Sequence, residues 1–308
     1  MGYVCVDRGT EKCPCVLMET GQCYTCGMTS TGKCDCASSW QGVCPYTEYI
    51  QNGRKTATRG IERNFKIAAV EDFSDKLKVM TLETSMGFAL ECSKLGAFLM
   101  IDSDGYKVPL SVMEAKTGKY SYVKAAMYVE GPKTELLDRR LEKDNKIKVT
   151  GPFFSGVIHK EQFDIKRLTV IIGKGIAIMP VLNQKNVIGG SLIRMYLDES
   201  KLTREFIDKY VLPLEYKKIA LDKELESLSV TVREDVEYSI KHTGKAPNIF
   251  LMVSPYYKTL LMEKCRFEEP QIIYPNHANM CCGEGVCGAC SHTDENGHTV
   301  RLCKCIDE

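Results

Sequence analysis

Two hydrophobic patterns divide the chain. Between about residues 60 and 157 the apolar positions form short β-type runs: Phe65–Val70, Leu77–Leu82, Ala97–Ile101, Tyr120–Val129 and Lys146–Val149. Turn signals such as Asp102-Ser103-Asp104-Gly105 lie between them. Many short strands at modest spacing predict a small antiparallel barrel. Between about 165 and 270 the runs become compact: Leu168–Ile172, Leu192–Leu197, Lys218–Leu221 and Ile249–Val253. Helix-like stretches, Thr203–Tyr210 and Asp222–Leu228 among them, alternate with these runs. That alternation predicts an α/β layer on a parallel sheet. The flanks carry neither pattern. The chain therefore reads as a Cys-rich segment (1–52), an antiparallel barrel (60–157), an α/β domain (165–270) and a second Cys-rich segment (271–308).

Composition alters this picture in one respect. The 308 residues are 44% hydrophobic and 26% charged, ordinary values for globular cores. With 41 basic and 40 acidic residues the net charge is +1, which speaks against nucleic acid or an anionic membrane as partner. The N-terminus has no basic stretch followed by an apolar one. The longest apolar run, Leu168–Leu182, is interrupted by Gly173, Lys174 and Gly175. No export signal or membrane span is expected, and the expected location is the cytoplasm. Cysteine is the exception. There are 16, eight before residue 45 and six between 281 and 305. In a reducing compartment, clustered thiols hold metal more often than they form disulfides.

In the C-terminal group, Cys282, Cys287 and Cys290 form C-x4-C-x2-C, and Cys303 follows twelve residues later. This is plant-type [2Fe–2S] spacing. A short loop must wrap a compact inorganic core, and Gly283, Gly285 and Gly288 permit the dihedrals that this needs. A turn at Asn296-Gly297 would bring Cys303 back to close the site. The competing reading is four-thiolate zinc. His277, His292 and His298 read as surface residues or as supports behind the ligands, and Cys281 and Cys305 as spares, with Cys305 the alternative to Cys303 as fourth ligand.

The N-terminal cysteines repeat. Cys5, Cys13, Cys15 and Cys23 read C-x7-C-x-C-x7-C, and Cys26, Cys34, Cys36 and Cys44 repeat this 21 residues later. A segment so poor in aliphatics needs metal or cross-links to become ordered. Spacing alone does not separate iron–sulfur from structural zinc, nor say which thiols share a site.

Gly173-Lys174-Gly175-Ile176-Ala177-Ile178-Met179-Pro180 follows a buried strand and opens a helix-like stretch. Such a turn lets a phosphate approach the backbone, although the third glycine of the dinucleotide fingerprint is absent. A purely structural turn is the alternative. The next strand ends in Asp198, placed to bond a ribose hydroxyl and so to favour NADH over NADPH; a solvated strand end is the alternative there.

Together these features resemble the ferredoxin–NADP reductase superfamily over roughly residues 60–308. The chain is similar to the electron-transfer subunits of dihydroorotate dehydrogenase and of NADH-dependent ferredoxin:NADP oxidoreductase. Val108-Pro109-Leu110-Ser111 stands where that family has its Arg-Pro-Leu/Ile-Ser/Thr flavin strand. Gly131-Pro132-Lys133-Thr134 resembles its flavin-phosphate turn, Leu95-Gly96-Ala97-Phe98 its strand entry, and Gly151-Pro152-Phe153-Phe154 the turn that closes its barrel. Gly173, Gly175, Ile176 and Pro180 fall in its nucleotide turn. The resemblance implies an FAD-binding barrel, an NAD(P)H-binding α/β half and a [2Fe–2S] segment. It implies an oxidoreductase that passes electrons to or from a partner oxidoreductase or ferredoxin, with Ser111 near the flavin ring. Because Val108 replaces the family's arginine, a flavin phosphate contact would fall to Lys107 or Lys133. The first 50 residues have no counterpart in the family. The alternatives from other classes are a metal or redox sensor, and a non-catalytic subunit that docks a partner enzyme.

Overall fold

The computed structural model describes residues 3–5, 7–8, 13, 16–34, 44–55, 62–188, 192–212, 214–268, 271–276, 280–283, 285–293 and 299–307. Cys15, Cys36, His277, His298 and the Asn296-Gly297 turn lie outside them. After a short strand, β1 (Tyr3–Cys5), six strands form a closed barrel: β2 (Glu62–Asp72), β3 (Leu77–Thr84), β4 (Phe98–Ser103), β5 (Tyr106–Lys116), β6 (Ser121–Tyr128) and β7 (Lys146–Phe153). Their order is β2-β3-β6-β5-β4-β7, antiparallel throughout. The period of two places Val108, Leu110 and Val112 of β5 inside, with Leu99, Ile101, Val123, Ile147 and Val149. Two helices absent from the sequence reading pack on this core. Met86–Cys92 buries Phe88, Ala89 and Cys92, and Pro132–Lys143 buries Leu137 and Leu141. With so few buried positions each, neither leaves a long periodic trace.

The second layer is a six-stranded sheet of β8 (Val157–Ile158), β9 (Thr169–Lys174), β10 (Ile193–Asp198), β11 (Lys217–Lys218), β12 (Asn248–Met252) and β13 (Ile272–Pro275). Its order is β11-β10-β9-β12-β13-β8, parallel except for β8 at one edge. All five residues of β12 are buried, as expected for a strand covered on both faces. The expected strand Lys218–Leu221 is only Lys217–Lys218, because Leu221 already starts a helix that runs to Thr243. That helix exceeds the expected Asp222–Leu228 because its buried stripe continues in polar residues, Ser229, Asp235 and Ser239. Asp235 accepts from the Tyr196 hydroxyl and Ser239 donates to the Lys245 carbonyl, so the stripe is satisfied without apolar side chains.

Barrel and sheet share one core, in which Phe73, Val79 and Met113 pack with Ile178, Met179, Phe206 and Tyr210. The chain ends in a ribbon of β14 (Ser291–Thr293) and β15 (Thr299–Arg301), then β16 (Cys305–Asp307), which pairs with β1. The N-terminal segment therefore lies against the C-terminal one. Among the described residues no helix is long and apolar enough to cross a membrane.

Candidate cofactor-binding sites

The expected site residues fall into three sets. The C-terminal thiols form a connected chain. Cys303 is hydrogen-bonded to Cys282 and to Cys290, and Cys287 to Cys282. Two backbone amides point at sulfur: Cys287 N to Cys282 Sγ and Cys303 N to Cys290 Sγ, both 3.4 Å. The bond from Cys303 holds the Cys290 thiol below its ordinary range despite burial. Cys303 is pushed up by its bonds to Cys282 and Cys290 and by burial. Gly283, Gly285 and Gly288 all have positive φ, from 66° to 73°. A Cβ on Gly283 would lie 2.1 Å from Met100 Cε, so the loop sits directly on β4. Cys290 and Cys303 pack with Met280, Met100 and the stacked pair Phe98–Phe153. Among the described residues no three donors close around a single ion position. A linked row of four thiols with sulfur-directed amides nevertheless fits the donor set of a binuclear cluster.

Of the N-terminal thiols, Cys5, Cys13, Cys23 and Cys26 are buried, Cys44 is half-buried and Cys34 is exposed. Cys13 donates to the Asp7 carbonyl at 2.6 Å, and the Cys44 sulfur accepts from the Thr47 amide.

On β5, Val108 and Leu110 face the barrel interior, while Pro109 and Ser111 alternate with them and pair with Met100 and Phe98 of β4. Gly131 caps the helix Pro132–Lys143. Thr134 Oγ1 there accepts from the Glu130 and Gly131 amides at 3.0 and 3.1 Å. The two lysines that could replace the family's arginine are both engaged. Lys107 donates to Glu62 (2.8 Å) and Thr150 (3.0 Å). Lys133 donates to the Cys281 sulfur at 2.7 Å and to the Lys107 carbonyl at 3.4 Å. The expected flavin-phosphate turn therefore touches the expected cluster loop.

The third set lies at the C-terminal edge of the sheet. The chain steps from β9 to β10 and β11 on one side, then returns as β12 on the other. That reversal is the switch point at which open α/β sheets take ligands. Gly173 and Gly175 border it. A Cβ on Gly173 would lie 2.3 Å from Ile178 Cγ2, and one on Gly175 would lie 2.6 Å from the Ser200 carbonyl oxygen. Ile176 packs against the shared core, and Pro180 is buried in the helix Met179–Asn183. Asp198 is buried, and its carboxylate is already engaged. It accepts from Lys174 Nζ, from Ser200 N (3.0 Å) and from Leu221 N (3.1 Å). Burial raises its pKa, but these bonds outweigh burial and hold it below the ordinary carboxylate range. Sequence reasoning missed Lys174, which also approaches Asp222 (3.8 Å) and lies over the Tyr257 ring (5.0 Å). The signal was its place between the two glycines, since parallel register sets Lys174 opposite Asp198.

No family model and no curated protein matches the chain. Solved structures do. One is the NADH-dependent reduced ferredoxin–NADP oxidoreductase, described in connection with flavin-based electron bifurcation. It is 17% identical over 80% of this chain and 86% of that one, with a TM-score of 0.53. A ferredoxin–NADP+ reductase from Neisseria gonorrhoeae with bound FAD and NADP is 15% identical over 69% of this chain and 97% of its own, TM-score 0.50. An intact type IV self-sufficient cytochrome P450 monooxygenase matches 89% of this chain and 43% of its own at 13% identity, TM-score 0.53.

Proposed function

From a chain with the fold of the ferredoxin–NADP reductase superfamily, we propose an FAD-dependent oxidoreductase that transfers electrons between NAD(P)H and iron–sulfur centres, one of them a C-terminal [2Fe–2S] centre, and onward to a partner oxidoreductase or ferredoxin. The observation that carries this reading is the contact between turn and loop. Lys133 reaches Cys281 at 2.7 Å, and Met100 lies under Gly283. A lysine expected at the flavin phosphates thereby touches the segment expected to hold the cluster, which supports a flavin and a cluster close enough for single-electron exchange.

The roles follow the chain. Pro109 and Ser111 would line the flavin ring, Ser111 as hydrogen-bond partner, while Leu110, expected there too, supports them from the barrel core. Gly131, Lys133 and Thr134 would hold the flavin phosphates at the start of the helix. Gly173, Gly175, Ile176 and Pro180 would shape the nucleotide crevice, with Asp198 at its floor. Since Lys174 already neutralises Asp198, any preference for NADH would act through this pair. Cys282, Cys287, Cys290 and Cys303 would ligate the [2Fe–2S] centre in segment 271–308. Cys5, Cys13, Cys15, Cys23, Cys26, Cys34, Cys36 and Cys44 would hold iron–sulfur or zinc in segment 1–52, beside the FAD barrel (60–157) and the NAD(P)H domain (165–270). A bound flavin accepts a hydride's two electrons together and releases them singly, which joins nicotinamide to one-electron acceptors.

The test is made on protein purified without oxygen. Flavin, iron, labile sulfide and zinc are counted per chain, and the visible spectrum is recorded before and after NADH. Flavin plus at least two irons, both bleached by NADH or NADPH, is the expected result. Protein without flavin that neither nucleotide bleaches would overturn the reading in favour of a sensor or docking subunit.

A further inference from the structure

The two ends of the chain meet in a way that the cysteine repeat does not suggest. In the β1–β16 ribbon, Cys5 lies directly opposite Cys305. The Tyr24 hydroxyl is 2.8 Å from the Cys305 sulfur. Cys23 directly precedes Tyr24 and packs in the same cluster. Cys305, Cys5 and Cys23 are 2%, 7% and 8% exposed, so the group is withdrawn from solvent. Cys26 packs beside Cys23, with Leu17, Met18, Tyr46 and Tyr49 around them.

Cys303 and Cys305 are separated by one residue but belong to different surroundings. Cys303 packs with Cys290, Met100 and Phe153 on the barrel side. Cys305 faces β1 and Tyr24. Between them Lys304, 1% exposed, makes a 2.9 Å ion pair with buried Asp7.

We propose that Cys305 is a ligand of the N-terminal thiolate centre and that, with Cys5 and Cys23, it forms a soft-metal site assembled from both ends of the chain, three thiols that do not yet close around one ion position and would do so on binding. Buried cysteines can serve as small apolar side chains. That role does not explain why buried thiols from both ends of the chain are brought to one hydroxyl-lined place. Soft thiolates suit zinc or iron–sulfur, both of which take several sulfurs at one point. The buried Lys304–Asp7 pair beside Cys305 ties the two ends together at the same place. The arrangement also explains why a segment lacking its own aliphatic core is ordered against the C-terminus. It corrects the reading of Cys305 as a spare, and it does not depend on flavin binding.

The experiment compares iron, sulfide and zinc per chain in the full-length protein and in C305S, C5S, C303S and C92S, all prepared without oxygen. Cys92 is a buried thiol of the barrel core and serves as control. C305S should lose the same metal as C5S, about one centre's worth, while keeping the [2Fe–2S] spectrum that C303S abolishes. C92S should keep everything. Zinc lost from C305S and C5S identifies a structural site, and iron with sulfide a second cluster; either supports the proposal. Full metal content in C305S, or loss of only the [2Fe–2S] centre, would overturn it. Should C305S lose both centres, C305H decides, because it restores a metal donor at the same place. Recovery of the metal sustains the assignment, and no recovery refutes it.

Discussion

Gly175 and Gly244 both adopt positive φ, +53° and +69°, but only Gly175 faces a close neighbour, the Ser200 carbonyl oxygen. Alanine at Gly244 meets open space, so it should lose only about 1 kcal/mol, the left-handed strain of an L-residue. Alanine at Gly175 adds a backbone collision that no side-chain rotation relieves, so overpacking should cost a further ~1–3 kcal/mol. Urea titrations of both variants check this; equal losses would show that the turn yields freely. Asp198 gives a second test. Its carboxyl is depressed in the fold, mainly because the Lys174 and amide hydrogen bonds outweigh burial. Such a group stabilises the fold above its unfolded pKa of about 3.9 and stops doing so as pH falls through the lower folded value. D198N should therefore be less stable than the parent at pH 7, with the difference shrinking below about pH 4. A difference that stays constant down to pH 3 would show that the charge of Asp198 is not what stabilises. At this scale the sequence was half legible. The strand-end aspartate was visible, but its partner was not, because pairing depends on which strands lie side by side.

Elements with strong periodicity were legible: the barrel strands around Leu82, Val123 and Val149, and the buried runs of β9 and β12. Those whose stability comes from elsewhere were not. The helix Leu221–Thr243 hides its second half because the buried face turns polar at Asp235 and Ser239. The β1–β16 ribbon is invisible for another reason. Three-residue strands carry no period, and these two come from opposite ends of the chain. Its anchor is the Asp7–Lys304 pair, 5% and 1% exposed. Removing one partner of a buried pair leaves an uncompensated charge and typically costs about 3–5 kcal/mol, whereas replacing both with apolar residues can be near neutral. D7N should thus loosen the N-terminal segment, seen as faster limited proteolysis before residue 55, and D7L with K304M should recover much of the loss. A double variant as labile as D7N would show that the ribbon does not depend on this pair.

At the scale of the whole molecule, the question is whether barrel and sheet are two domains or one folding unit. The chain changes pattern near residue 160, as two domains would. Yet the apolar core does not stop there. Phe73, from the end of the barrel's first hairpin, packs edge-on to Phe206 at 5.3 Å and Tyr210 at 5.6 Å. Polar contacts reinforce the junction. The Tyr210 hydroxyl donates to Glu71 at 2.7 Å, and Gln184 and Asn183 reach the Ser93 and Cys92 carbonyls at 2.6 and 2.9 Å. These bonds are part-buried, so opening the junction exchanges each for water at a net cost of about 0.5–1.5 kcal/mol. Neither layer can then melt without exposing the other's core, and a single cooperative transition follows. Far-UV circular dichroism and the near-UV signal of the 15 tyrosines should give coincident urea curves. Phe206 is fully buried, so F206A should cost about 3–5 kcal/mol and shift both curves together. Separate transitions, with F206A moving only one, would mean that the shared core is a surface contact between independent domains. A junction that does not open is also what a fixed distance between the nucleotide turn and the cluster loop would need, because the turn is built on the sheet and the loop lies on the barrel.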